Sequence, residues 1–204
     1  MTGPGEPMPA KRPRFICGLG ANVADIKILL LRGVNVAGAN RLPMAEFREM
    51  LGEFGLSHVD THVQSGNAVF HDPGVAGLEG KIGAAMLLRF GFKPALFIIT
   101  LEDYRAILAA NPYKAAGAGD GSKVHIVFLG APAAGTDLAG LRAQASDGEQ
   151  LTLTDRALYL HTPGGYGSST LVEKLPRYIK APQTARNQRS AESILALATA
   201  LTVA

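Results

Sequence analysis

The sequence predicts an α+β protein of two small subdomains, and three observations carry that reading. An unbroken apolar run occupies residues 28–31, the hydrophobic period switches from helical to alternating at residue 58, and a second strand-helix-strand-strand order follows a glycine-rich stretch at 114–122. A four-residue apolar run suits a strand buried on both faces and is too short for a helix. Arg32, Gly33 and Asn35 end it.

The next element is a helix from Pro43, since proline suits the first helical turn. Met44, Phe47, Leu51 and Phe54 form one apolar stripe, Glu46, Glu49 and Glu53 face water, and Gly55 supplies the stop. From His58 the period is two, with Val59, Thr61 and Val63 on the apolar face. Ser65 and Gly66 are expected to turn this strand tightly into another at 67–70. A second amphipathic helix carries Leu78, Ile82, Met86, Leu87 and Phe90 and stops at Gly91, and a fourth strand fills 95–100. The order β-α-β-β-α-β is the ferredoxin-like one.

Thr100, Glu102 and Asp103 open a further helix whose buried positions are Leu101, Tyr104, Ile107 and Leu108. Residues 114–122 read as a flexible joint, so the first subdomain is placed at 27–112 and the second at 113–204. The second subdomain is expected to hold a strand at 124–129, a helix at 137–145 and a hairpin of 150–154 with 157–161 turned at Asp155 and Arg156. A helix from Leu171 makes it a similar β-α-β-β-α unit, and a terminal helix buries Ile194, Leu195 and Leu201. Residues 1–26 are rich in Pro, Gly and small side chains and are expected to form a dispensable N-terminal extension.

Composition narrows the class. Of 204 residues, 47% are hydrophobic, enough for a sizeable core and against general disorder. The single cysteine, Cys17, allows no internal disulfide, no spacing resembles a zinc or iron site, and a reducing cytoplasm fits. No apolar run approaches the roughly 18 residues of a membrane span. No cofactor motif is evident. The basic surplus is at the end of the chain, where residues 170–204 carry five Lys and Arg against two Glu. Such a patch attracts phosphates, although a charged helix face is more often simply solvated.

In a ferredoxin-like sheet the end of strand one lies beside the turn after strand two, because those strands run the same way with strand three between them. Arg32, Asn35, Gln64, Ser65 and Asn67 are therefore expected to cluster, with Asn40, Arg41 and Lys93 on the same edge. A guanidinium among amides and hydroxyls suits a phosphate or carboxylate. The competing reading is that the amides and hydroxyls hold turns and the arginine pairs internally. A second candidate is PGGYGSST at 163–170, including Tyr166, a glycine-rich run before a helix where free N–H groups favour an anion. Thr170 and Glu173 form a capping box, so this run also reads as an ordinary helix start, and it lacks a Walker Gly-Lys-Ser/Thr. The third is TARN at 184–187, where Arg186 and Asn187 reach either the cleft or the body of the fold. His58, His62, His71, His125 and His161 lie on strands or their ends with no triad partner, and no paired carboxylates stand out.

The segments LLRGVNV, NRLPMAEFREML, THVQSGNAVF, ANPY, YLHTPGGYG and TARN resemble, in order, the bacterial family known as domain of unknown function 1697. The resemblance begins at Lys27. It implies a compact α+β protein of two subdomains and no established activity. Members tend to carry basic residues where Ser168 and Thr170 stand here, which weakens an anion site at that loop, and a tryptophan where this chain has Gln188.

Three functional expectations follow. The first is a binding module for a phosphate-bearing small molecule or nucleic acid at the Arg32 edge and across the joint. Stacking-based RNA recognition is disfavoured, because strand three offers only Phe70 and the chain has no tryptophan. The second is a phosphate-handling enzyme of acylphosphatase type, an analogy of fold alone. The third is a protein-interaction module without a small-molecule site. No metal or membrane partner is expected, and the oligomeric state is open.

Overall fold

A computed structural model describes residues 25–36 and 38–203. Two four-stranded antiparallel sheets make up the frame. The first holds β1 (Ile26–Leu31), β2 (Ser57–His62), β3 (Asn67–His71) and β4 (Leu96–Thr100) in the spatial order β2-β3-β1-β4. The second holds β5 (Val124–Leu129), β6 (Gln150–Leu153), β7 (Ala157–His161) and β8 (Gln183–Asn187) in the order β6-β7-β5-β8. Both orders are ferredoxin-like.

Among the described residues seven α-helices cover these sheets: α1 (Met44–Gly52), α2 (Leu78–Phe90), α3 (Leu101–Ala109), α4 (Lys114–Gly119), α5 (Leu138–Arg142), α6 (Thr170–Tyr178) and α7 (Gln188–Ala200). Alternation along β1 explains the layering. Leu29 and Leu31 face a core with Phe47 of α1 and Ile82 and Met86 of α2. Ile26, Ile28 and Leu30 face the opposite way, into a core shared with Leu101 and Tyr104 of α3, Ile194 of α7, and Ile126, Phe128 and Tyr159 of the second sheet. The outer face of the second sheet packs Val127, Leu158 and Leu160 against Leu141 of α5 and Leu171 and Leu175 of α6. The helices α3 and α7 thus lie in the layer where the two sheets' inner faces meet. Tyr104 stacks on Phe128 with ring centroids 5.2 Å apart, and its hydroxyl donates to the Ala191 carbonyl.

Several local expectations need correction. Residues 114–122, expected as a flexible joint, hold helix α4 over Lys114–Gly119. The alanine-rich run favours helix, and Gly117 lets it approach Gln188, whose amide would collide with any Cβ there. The polar sequence QTARN forms β8, which completes the second ferredoxin-like unit. Its alternation is masked because the buried residues include Gln183, Thr184 and Arg186. Helix α6 is capped by Ser169, whose Oγ accepts from Val172 N, and not by Thr170. The hairpin after β2 pairs His62 with Asn67, so four residues, not two, make the turn. Val63 adopts a φ of 50° there and is exposed, as is Leu87 on α2. The first strand starts at Ile26, which is fully buried, and Asp25 O accepts from Asp72 N. The proposed N-terminal extension therefore loses its last two residues to the fold, and the rest of it lies outside the described residues.

Candidate functional site

The end of β1 and the β2–β3 turn lie side by side, joined by Leu31 N donating to Gly66 O at 2.9 Å. Gly66 sits at φ 68°, and a Cβ there would come within 2.6 Å of Val34 Cγ2 and 2.8 Å of Leu31 Cβ. Only glycine lets the turn approach the strand this closely.

Around this contact the polar residues divide into two groups. The first is internal. Asn35, at φ 53°, donates through Nδ2 to the carbonyls of Leu42 (3.0 Å) and Gln64 (2.7 Å), and its Oδ1 accepts from Leu42 N (2.8 Å). Oδ1 and Nδ2 thus close the loop after β1 on Leu42, and Nδ2 also ties it to the β2–β3 turn. Asn40 Nδ2 closes the same loop on itself by donating to Gly33 O at 2.8 Å. Asn67 is fully buried. Its Nδ2 donates to His62 O and Ser65 Oγ, while its Oδ1 accepts from Arg186 Nε at 2.6 Å.

Arg186, only 8% exposed, reaches from β8 into the first sheet. Besides Asn67 it donates from Nη1 to Thr184 Oγ1 (2.9 Å) and Ala185 O (2.7 Å), and from Nη2 to Leu31 O (2.7 Å) and Ser65 O (3.2 Å). A guanidinium has five N–H donors, and all five are taken by neutral oxygens. Burial pushes its pKa down to about 10, which leaves it charged at neutral pH. Asn187 is also structural, capping α7 by accepting from Ser190 N at 2.8 Å.

The second group faces outward. Arg32 donates its backbone N–H to Ala95 O, yet its side chain is exposed and has no ion pair or hydrogen bond among the described residues. Arg41 and the Gln64 side chain are likewise exposed. Arg32 stands at the mouth of a cavity of about 130 Å³ whose other walls come from the second unit, with Val127, Val172, Leu175 and Pro176 as apolar lining. Tyr166 forms part of the rim. It stacks on His125 with centroids 4.0 Å apart, and burial raises its pKa while the Arg32 charge opposes the rise.

Sequence reasoning missed Gln183 altogether. It lines the same cavity, is 7% exposed, and its Oε1 is buried with no hydrogen-bond partner among the described residues. A polar residue at a strand's first position gave no signal of burial. His125, read from the sequence only as a strand histidine without a triad partner, has its Nδ1 buried with no hydrogen-bond partner among the described residues, and burial lowers its pKa to about 4.

The structure therefore brings Arg32 and Tyr166 together at one opening. It places Asn67, Ser65 and Arg186 in a buried clamp, and Asn35 and Asn187 in loop and helix ends. Among the described residues no three His, Cys, Asp or Glu side chains gather as a metal site, and no helix is long and apolar enough to cross a membrane.

Comparison with known proteins agrees with this architecture. No curated protein matches the chain. A solved structure, that of the conserved bacterial protein SP0830 from Streptococcus pneumoniae, superposes with a TM-score of 0.63 at 24% identity, covering 85% of this chain and 98% of the other. At that identity the likeness speaks for the fold. A family model matches residues 25–159, two thirds of the length and including β1, the β2–β3 turn and most of the second sheet, and the chain belongs to the family described as "Protein of unknown function (DUF1697)".

Proposed function

We propose that this protein is a binding module for a small ligand carrying a phosphate or similar anion, held at the strand-end edge beside Arg32. One observation carries the reading: an exposed guanidinium with no hydrogen bond or ion pair among the described residues lines an open cavity together with Tyr166 and Gln183. Arg32 supplies a planar two-donor fork for the anion. At about 130 Å³ the cavity is smaller than the roughly 300–1,000 Å³ of drug-sized sites, so it would enclose one group of the ligand and leave the rest outside. A nucleotide or a nucleic-acid end would bind in that partial manner. The acylphosphatase alternative is weaker, because Asn35, which would have to orient a water, has both amide atoms engaged in its own loop. A bacterial cytoplasm, where Cys17 stays reduced, suits such a module.

The test is a thermal-shift panel of nucleotides, phosphorylated metabolites and short oligonucleotides. A ligand at one hundred times its Kd stabilises the native state by about 2.7 kcal/mol. We expect a hit on the native protein that Arg32→Ala abolishes and Arg32→Lys weakens, since an ammonium lacks the fork. Arg32→Ala itself should keep its stability within about 0.5 kcal/mol, as expected for an exposed side chain without partners. Silence across the panel, or equal response of Arg32→Ala, would overturn the reading.

A further inference from the structure

The two edges of the first sheet are built differently. Edge strand β2 reads Ser-His-Val-Asp-Thr-His, its register shifts between Ser57 and Asp60, and His58 stands at φ 52°. Charge and irregularity of this kind keep an edge from pairing. Edge strand β4 reads Leu-Phe-Ile-Ile-Thr, carries no charge, and pairs with β1 in unbroken register. It has none of those protections.

The free side of β4 can be read from the ladder. Arg32 N donates to Ala95 O, and the register places Leu31 opposite Leu96, so Ala95, Phe97 and Ile99 turn their backbone groups toward β1. Leu96 and Ile98 then direct both N–H and C=O away from the sheet, and Thr100 directs its N–H the same way. None of these groups has a hydrogen-bond partner among the described residues.

This edge also lies in the two largest cavities described, of about 420 Å³ and 460 Å³, which adjoin at Leu96, Phe97, Glu79 and Pro182. One wall is the start of α2, with Glu79 and Gly80. The other belongs to the second unit and is formed by the 130–132 loop, Phe128 and Pro182, with Gly130 N bonded to Pro182 O.

We propose that the β4 edge is a docking site for an extended peptide segment of a partner protein, which would add as a fifth strand to the first sheet. The peptide's side chains would alternate between two surroundings. One set would face Phe97, Ile107, Phe128 and Pro132 and should be apolar. The other would face the α2 side, where exposed Glu79 and Lys93 have no partners among the described residues, and should be polar or charged. A lone strand fits better than a second copy of this chain. Walls rise on both sides of β4, and pairing over five residues buries far less than the roughly 1,600 Å² of a stable interface.

The probes are acetylated ten-residue peptides alternating Val or Ile with Thr, Lys or Glu, labelled for fluorescence anisotropy and tested on the full chain. We expect binding in the micromolar range, with the Leu96, Ile98 and Thr100 amides exchanging rapidly in the free protein and slowly in the complex. Ile98→Pro removes an outward N–H without touching the β1 ladder and should weaken binding at least tenfold. N-methylation of the peptide should abolish binding at every second position and be tolerated at the positions between. This arm uses the native protein and so decides the matter even if Ile98→Pro folds poorly. Failure of every peptide, tolerance of N-methylation at all positions, or binding by a folded Ile98→Pro equal to that of the native chain would overturn the proposal. So would amides at Leu96, Ile98 and Thr100 already protected in the free protein: at all concentrations this would mean that the chain covers its own edge, and only at high concentration that a second copy does.

Discussion

Arg186 Nε donates to Asn67 Oδ1 at 2.6 Å, and this bond joins the edge strand of the second sheet to the buried start of β3 in the first. Neither residue lies on the strand of the other, and 119 positions separate them in the chain. The pair, with the Leu31 and Ser65 carbonyls, fastens the two ferredoxin-like units at the end where Arg32 emerges.

We predict that Arg186→Ala destabilises the protein by about 3–5 kcal/mol, because it strands the Ser65 carbonyl and Asn67 Oδ1 and leaves the Leu31 carbonyl only a long bond of 3.4 Å from Thr184 Oγ1. Arg186→Lys should recover only part of the loss, since three donors on one nitrogen cannot reach five acceptors spread around a planar fork. Urea unfolding of the three proteins measures both. A Lys variant as stable as the parent would show that charge, and not the geometry of the fork, holds the units together.

Gly66→Ala should cost roughly 2 kcal/mol or more. The new methyl group meets Leu31 and Val34 at distances no packed Cβ tolerates, at a φ that side chains rarely adopt. An unchanged melting temperature would mean the turn has room to move off β1, and the site geometry would need revision.

Leu30→Asp should yield no folded soluble protein. Leu30 is fully buried on the inner face of β1, and an unpaired carboxylate would enter the core shared by both sheets. A cooperative unfolding transition in this variant would contradict that burial.

Stability should fall as pH drops from about 6.5 to about 4. His125, ordinarily near 6.5, is held down to about 4 by burial, so across this window the unfolded chain binds a proton that the folded chain does not. The loss from this residue reaches ~3 kcal/mol below pH 4. His125→Phe keeps a ring to stack on Tyr166 and removes the titration, so its stability profile should be flatter over the same window. Parallel profiles for the two proteins would assign the acid sensitivity elsewhere.

The local elements were legible in the chain wherever a one-dimensional pattern carries the physics. The apolar run ending at Leu31, the stripe Leu101, Tyr104, Ile107 and Leu108 behind the Thr100 cap, and the Asp155–Arg156 hairpin each follow from period and turn chemistry, and the β-α-β-β-α-β order gave the first sheet. The adjacency of the β1 end and the β2–β3 turn also followed, because strand order alone dictates it. What residues 183–187 do was not legible. Their burial comes from the first sheet, which supplies the Leu31 and Ser65 carbonyls and Asn67 Oδ1 that make a buried arginine tolerable. The same holds for Arg32 and Arg186. As residue types they are identical, and only tertiary structure decides that one has every donor satisfied inside while the other stands at an open cavity. Hydrogen-bond satisfaction depends on which backbone groups a fold leaves over, and that becomes known only when distant segments meet.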